Sequence, residues 1–162
     1  MSSHSETAVR KVLILGLGNI LFQDEGLGVR AAECLQACNS IPEDVQVLDG
    51  GTLGLSLLPF LDDVTHLLIL DTVDAGQPPG TLVRLEGKAI PVALSHKLSM
   101  HQVGLQELLV AGSLTGSLPE NIVLWGVQPE TIDWGLGLTN PVENALEQLV
   151  DSVLNELANL GI

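Results

Sequence analysis

Two runs in this chain, "KVLIL" at 11–15 and "LLIL" at 67–70, carry apolar side chains one after another with no polar alternate. A strand with one face in water alternates; a strand read like these is covered on both faces, as in a parallel sheet flanked by helices. The intervening segments have a helical period. Leu27, Ala31, Cys34, Leu35 and Cys38 recur on one face, and Val142, Leu146, Leu149, Val153, Leu154 and Leu157 recur on another beginning near Pro141. Strands at Lys11–Leu15, Val45–Leu48, Leu67–Leu70, Thr81–Leu85 and Ile122–Val127 therefore alternate with helices. One of those helices is expected from Met100 to Val110, and a short one over "LGLSLLPFL" should be cut near Pro59. This is the pattern of an α/β fold.

One connection breaks the alternation. "DTVDAGQPPG", between the third and fourth strands, is too short for the dozen or more residues that a parallel crossover needs. The fourth strand is expected to run antiparallel, at an edge.

Composition narrows the partners. Of 162 residues 6 are basic and 20 acidic, a net charge of −14, which argues against nucleic acid and against an anionic membrane. No apolar run approaches the length of a membrane-spanning helix, and "MSSHSETAVRK" lacks the apolar middle of a signal peptide. The reading is a cytoplasmic protein with a flexible tail at 1–10 and a single α/β domain at 11–162. Cys34 and Cys38 are too few and too close for a disulfide framework; they are read as core.

The stretch "GLGNILFQDEGLGVR" leaves the first strand as a Gly-rich turn into a helix. Such turns usually cradle phosphate on backbone N–H groups. Here the turn carries Asp24 and Glu25, and the other segments expected at the same sheet edge, "DGGT" and "DTVDAGQPPG", are acidic too. An anion would be repelled there and a cation would not. The third glycine of a dinucleotide fingerprint is missing from "GLGNIL", no Walker loop occurs, and no serine or cysteine nucleophile arrangement is evident.

Asp71 follows "LLIL" directly, so a rigid strand aims it, although a turn-initiating Asp looks the same. Glu25 stands beside the first turn of a helix, where the dipole favours an acid in any case. Asp24 fits an N-cap. Gly26 and Gly28 leave space around Glu25 for a partner to approach the backbone. Among four histidines, His4 is in the tail and His66 is at the wrong end of the third strand. Ser99 and Gln102 have the spacing of a capping box, which puts His101 in the first turn of a helix and leaves His96 in the preceding loop. A neutral imidazole is favoured there. Two carboxylates and one imidazole, without thiolate, suit a borderline divalent ion such as Zn²⁺ or Ni²⁺ and leave coordination positions open. Trp125 is read as core.

Taken in order, "GLGNILFQDEGLGVR", "LDGGTLGL", the acid after the third strand with "PPGT" beyond it, "SMHQVGLQELL" and "GVQP" resemble the maturation endopeptidases of [NiFe] hydrogenases, over nearly the whole chain. The resemblance implies a three-layer α/β/α sandwich with a mixed, mostly parallel five-stranded sheet and one antiparallel strand, of the phosphorylase/hydrolase-like type. It implies an endopeptidase that removes a C-terminal peptide from the nickel-loaded precursor of a hydrogenase large subunit. Glu25, Asp71 and His101 would be the catalytic and metal-contacting residues, with nickel supplied by the precursor and no permanent cofactor. Asp24 matches a neighbouring family acid, and Gly50 and Gly51 match a family loop. The family has been grouped with aspartic proteases, but the paired D-T/S-G signature of pepsin-like enzymes is absent. Two rival readings are a non-catalytic nickel-sensing maturation factor and a metal-dependent hydrolase of another substrate.

Overall fold

The computed structural model describes residues 9–94 and 100–162, excluding the side chains of Leu94, Met100 and His101. Five strands, β1 (Val12–Leu17), β2 (Val45–Gly51), β3 (His66–Thr72), β4 (Leu82–Glu86) and β5 (Asn121–Val127), form one sheet in the order β2-β1-β3-β5-β4. β2, β1, β3 and β5 are parallel; β4 pairs antiparallel to β5 at the edge, from Leu82 opposite Val127 to Glu86 opposite Val123. The short 71–80 connection forces that reversal, as its length requires.

β1 is buried at every position, and its side chains divide between two cores. Leu13, Leu15 and Leu17 pack with Leu57, Leu61, Ile90, Leu105 and Leu108 on one face. Val12 and Ile14 pack with Leu27, Ala31, Leu35, Val142, Leu149 and Val153 on the other. The second face is covered by α1 (Leu27–Gln36) and α4 (Asn140–Asn159). The first is covered by a 3₁₀ segment at Gly54–Leu61, by α2 (Ala89–Leu94) and by α3 (Met100–Thr115). The result is three layers, α/β/α.

Three local expectations change. Cys34 is exposed and Cys38 only half-buried, so neither is core. The helix buries the face of Gly28, Ala32 and Leu35, and Cys34 stands roughly a third of a turn round from it, while Cys38 lies beyond the helix end. α3 runs past Val110 because Gly112 packs within reach of Leu61 and Leu118; the helix stops at Gly116, whose φ of +72° favours glycine. α2, too short to show a period, is absent from the sequence reading.

Candidate functional site at the β1/β3 crevice

The order in which strands are added to the sheet reverses at β1: the connection through α1 moves outward to β2, and the next returns across to β3. Ligands of open α/β sheets sit at such a switch point, beyond the carboxyl ends of the strands. Here the pairing of β1 with β3 stops at Gly16 opposite Leu70, while β3 continues beside β5 through Asp71 and Thr72. Asp71 is thus the first residue of β3 past its β1 partner.

The start of α1 is pressed onto the same gap. A Cβ added at Gly28 would lie 2.1 Å from the Leu70 carbonyl oxygen and 2.2 Å from that of Leu17. At Gly16 it would lie 2.3 Å from the Gly28 oxygen, and at Gly18, where φ is +134°, 1.8 Å from the Glu25 oxygen. At Gly26 it would meet the Ile20 Cα at 2.9 Å. The space around Gly26 and Gly28 is therefore filled by the protein's own backbone and is not open to a partner, a correction to the sequence reading. The glycines let strand, turn and helix touch without a layer of side chains, and this brings the turn of Glu25 against β3.

Glu25 belongs to a 3₁₀ turn at Gln23–Gly26 that precedes α1, and it is 8% exposed. Asp71 is fully buried, and its Oδ1 accepts a 2.8 Å bond from the N–H of Thr72. Both acids are buried because β3 is flanked on both sides, and because the Gln23–Gly26 turn and α3 close over its end. The tie to α3 is direct: the buried amide of Gln102 donates from Nε2 to the Thr72 carbonyl oxygen at 3.1 Å. The first turn of α3 contains His101, next in sequence to Gln102. Its side chain lies outside the described residues, as do Ser99 of the expected capping box, His96 and His4. Among the described residues, no group of three His, Cys, Asp or Glu side chains is placed to hold an ion; the expected third ligand is not among them.

Asp24 is not the N-cap of α1, which is Gly26. Its fully buried carboxylate accepts from the N–H groups of Glu130 (2.9 Å), Thr131 (3.0 Å) and Thr139 (2.7 Å), and from the Thr139 hydroxyl at 2.8 and 3.0 Å. Backbone bonds extend the clasp: Gln23 N–H to the Gly135 oxygen, Gly135 N–H to that of Leu21, and Asp24 N–H to that of Thr131. The Phe22 and Trp134 rings meet at 4.3 Å between centroids. These donors take the place of the water that a buried carboxylate loses. The donors lie more than a hundred residues away in sequence, so no local signal marks Asp24 as the anchor of the 130–139 loop.

Other candidates settle elsewhere. His66 is the first residue of β3, at the amino end of the sheet, with Nδ1 2.8 Å from the Thr65 hydroxyl. Trp125 is half-buried on β5 against the α1/α4 core, with the Arg84 guanidinium 5.8 Å from its ring centre. Gly51 ends β2 with φ of +46° and accepts the Gly18 N–H at 3.0 Å, so "DGGT" does reach the crevice. No helix among the described residues is long and apolar enough to cross a membrane.

The sequence matches a family model described as hydrogenase maturation protease over residues 29–156. The Hydrogenase 2 maturation protease of Escherichia coli (strain K12) is 39% identical over 153 residues, 94% of this chain and 93% of that protein. The hydrogenase expression/formation protein HupD of Bradyrhizobium diazoefficiens is 40% identical over 154 residues, 94% of this chain and 80% of that one. Among solved structures, the hydrogenase maturating endopeptidase HybD from E. coli superposes with a TM-score of 0.88 at 39% identity, covering 93% of this chain and 94% of that chain.

Proposed function

The chain belongs to the hydrogenase maturation protease family, and from that premise we propose that it removes a C-terminal peptide from the nickel-loaded precursor of a [NiFe] hydrogenase large subunit. One observation carries the reading. The turn of Glu25 packs against β3, whose end carries Asp71, and Gln102 in the first turn of α3 donates to Thr72 at that same strand end. With the imidazole of His101, the two carboxylates would make an open ligand set for an ion that arrives with the substrate.

In this reading Glu25, Asp71 and His101 contact the precursor's nickel. Contact tests that nickel is present and holds the nearby peptide bond in place, an orientation effect. Hydrolysis then adds water at the scissile carbonyl and releases the C-terminal peptide as a free amine. The enzyme needs no resident metal, works as one domain over 11–162, and acts in the cytoplasm, where the precursor is made.

Purified protein incubated with nickel-loaded and nickel-free precursor from the same organism tests this by product mass. Only the loaded precursor should lose its tail, and Glu25→Gln, Asp71→Asn and His101→Ala should each abolish the loss. Because the two acids are buried, the near-isosteric amides are the proper variants and their melting must be checked. Intact loaded precursor would leave a docking factor only, and cleavage of generic peptides would indicate another hydrolase. About one nickel held through dialysis by the enzyme alone would make the metal resident.

A further inference from the structure

The loop that Asp24 clasps exposes an unusual amount of apolar surface. Trp134 and Leu136 are each 75% exposed and Ile132 is 51% exposed, on ten residues that also carry the exposed acids Glu130 and Asp133. Gly135 bonds to Leu21, which is 47% exposed, and Leu21 leads through Phe22 to Glu25, so the apolar surface is continuous with the turn of the candidate site. Exposed tryptophan beside exposed leucine marks an interaction surface more than a solvated loop does. The loop is also held rigid beforehand, by the bonds to the Asp24 carboxylate and by the backbone bonds to Leu21, Gln23 and Asp24. A surface ordered in the free protein loses little further freedom on binding.

We propose that the 130–139 loop, with Trp134 and Leu136 at its centre, is the docking ledge for the hydrogenase precursor, and that it takes a precursor segment with apolar side chains flanked by lysine or arginine. The proposal rests on the function argued above. Charge selects the occupant: the exposed Glu130 and Asp133 rim the ledge, and none of the chain's six basic residues lies in 16–26 or 130–139. Position selects it too, because a precursor that presents its metal to Glu25 has Leu21 and Trp134 beside its path.

The test measures both binding and cleavage of nickel-loaded precursor by the full chain, for wild type, Leu136→Ser, Trp134→Ala and Asp133→Lys. Leu136 is so exposed that its replacement leaves packing intact, and unchanged melting with unchanged amide exchange at Thr131 and Thr139 verifies it. The expected result is a Kd and KM raised about tenfold by Trp134→Ala and several-fold by Leu136→Ser, with kcat within twofold. Asp133→Lys should weaken binding at low salt and lose that effect at high salt. Binding within twofold of wild type for both Leu136→Ser and Asp133→Lys overturns the ledge. So does a wild-type dimer that Leu136→Ser dissociates, because a second copy then covers the loop. A wild type that binds loaded precursor without cutting it overturns the protease reading and leaves the binding comparison intact.

Discussion

Among the described residues, acids are buried at only one end of the sheet. At the carboxyl end, Asp24, Glu25 and Asp71 are buried while Asp49 and Asp74 are exposed. At the amino end, Asp62, Asp63 and Glu120 line an open groove and are exposed. Ties there are peripheral: Lys11 Nζ donates to the Asp62 carbonyl, and Asn121 to that of Thr65. Burying a carboxylate is unfavourable unless donors replace its water. For Asp24 the donors are backbone N–H groups and a hydroxyl brought from distant segments, and for Asp71 one is the N–H of the next residue, Thr72. The contrast teaches that acids alone do not mark a site; acids that the fold has gone to the trouble of desolvating do.

Glycine should show the largest difference. Gly28→Ala forces a methyl group against two carbonyl oxygens, and we expect a loss of about 3 kcal/mol or more. Gly116→Ala, at the amino end, meets nothing within 4 Å and should lose only about 1 kcal/mol, from its positive φ. Urea midpoints of the two variants measure the difference; equal losses would dissolve the contrast.

Asp24 comes next. Asp24→Asn halves the acceptor capacity of a buried group and should cost about 2–3 kcal/mol, with faster amide exchange at Glu130, Thr131 and Thr139. Asp62→Asn, at the other end, should stay within about 0.5 kcal/mol. Normal exchange protection in the Asp24 variant would show that the backbone bonds alone hold the loop.

The smallest effect belongs to His66. Burial, and then the charge of Arg10, lowers its pKa below the ordinary 6.5. The folded state therefore favours the neutral ring. Its contribution to stability is full above the unfolded pKa and is lost as pH falls through the folded value. His66→Gln should remove that small slope from the stability–pH curve below about pH 6.5. A His66 resonance titrating above 6.5 would reverse the sign and refute it.

Much of this protein was legible before any coordinates. Unbroken apolar runs could only be strands covered on both faces, because an exposed Leu or Ile at every second position has no compensating gain. The ten residues after Asp71 are too short for a crossover, so β4 had to turn back. Helical period fixed the faces of α1 and α4 except at the margin, where Cys34 sits on the flank. Family motifs pointed to Glu25, Asp71 and His101 as the proposed site, and of these the fold brings the turn of Glu25 against the strand of Asp71. Tertiary structure alone decided the rest. Gly28 looked like room for a partner and is the seat of two carbonyl oxygens, since close packing is a property of segments that meet only after folding. Asp24 looked like a helix cap and anchors a loop over a hundred residues away. The donors that make its burial tolerable, Glu130, Thr131 and Thr139, come from chain that no local reading connects to it.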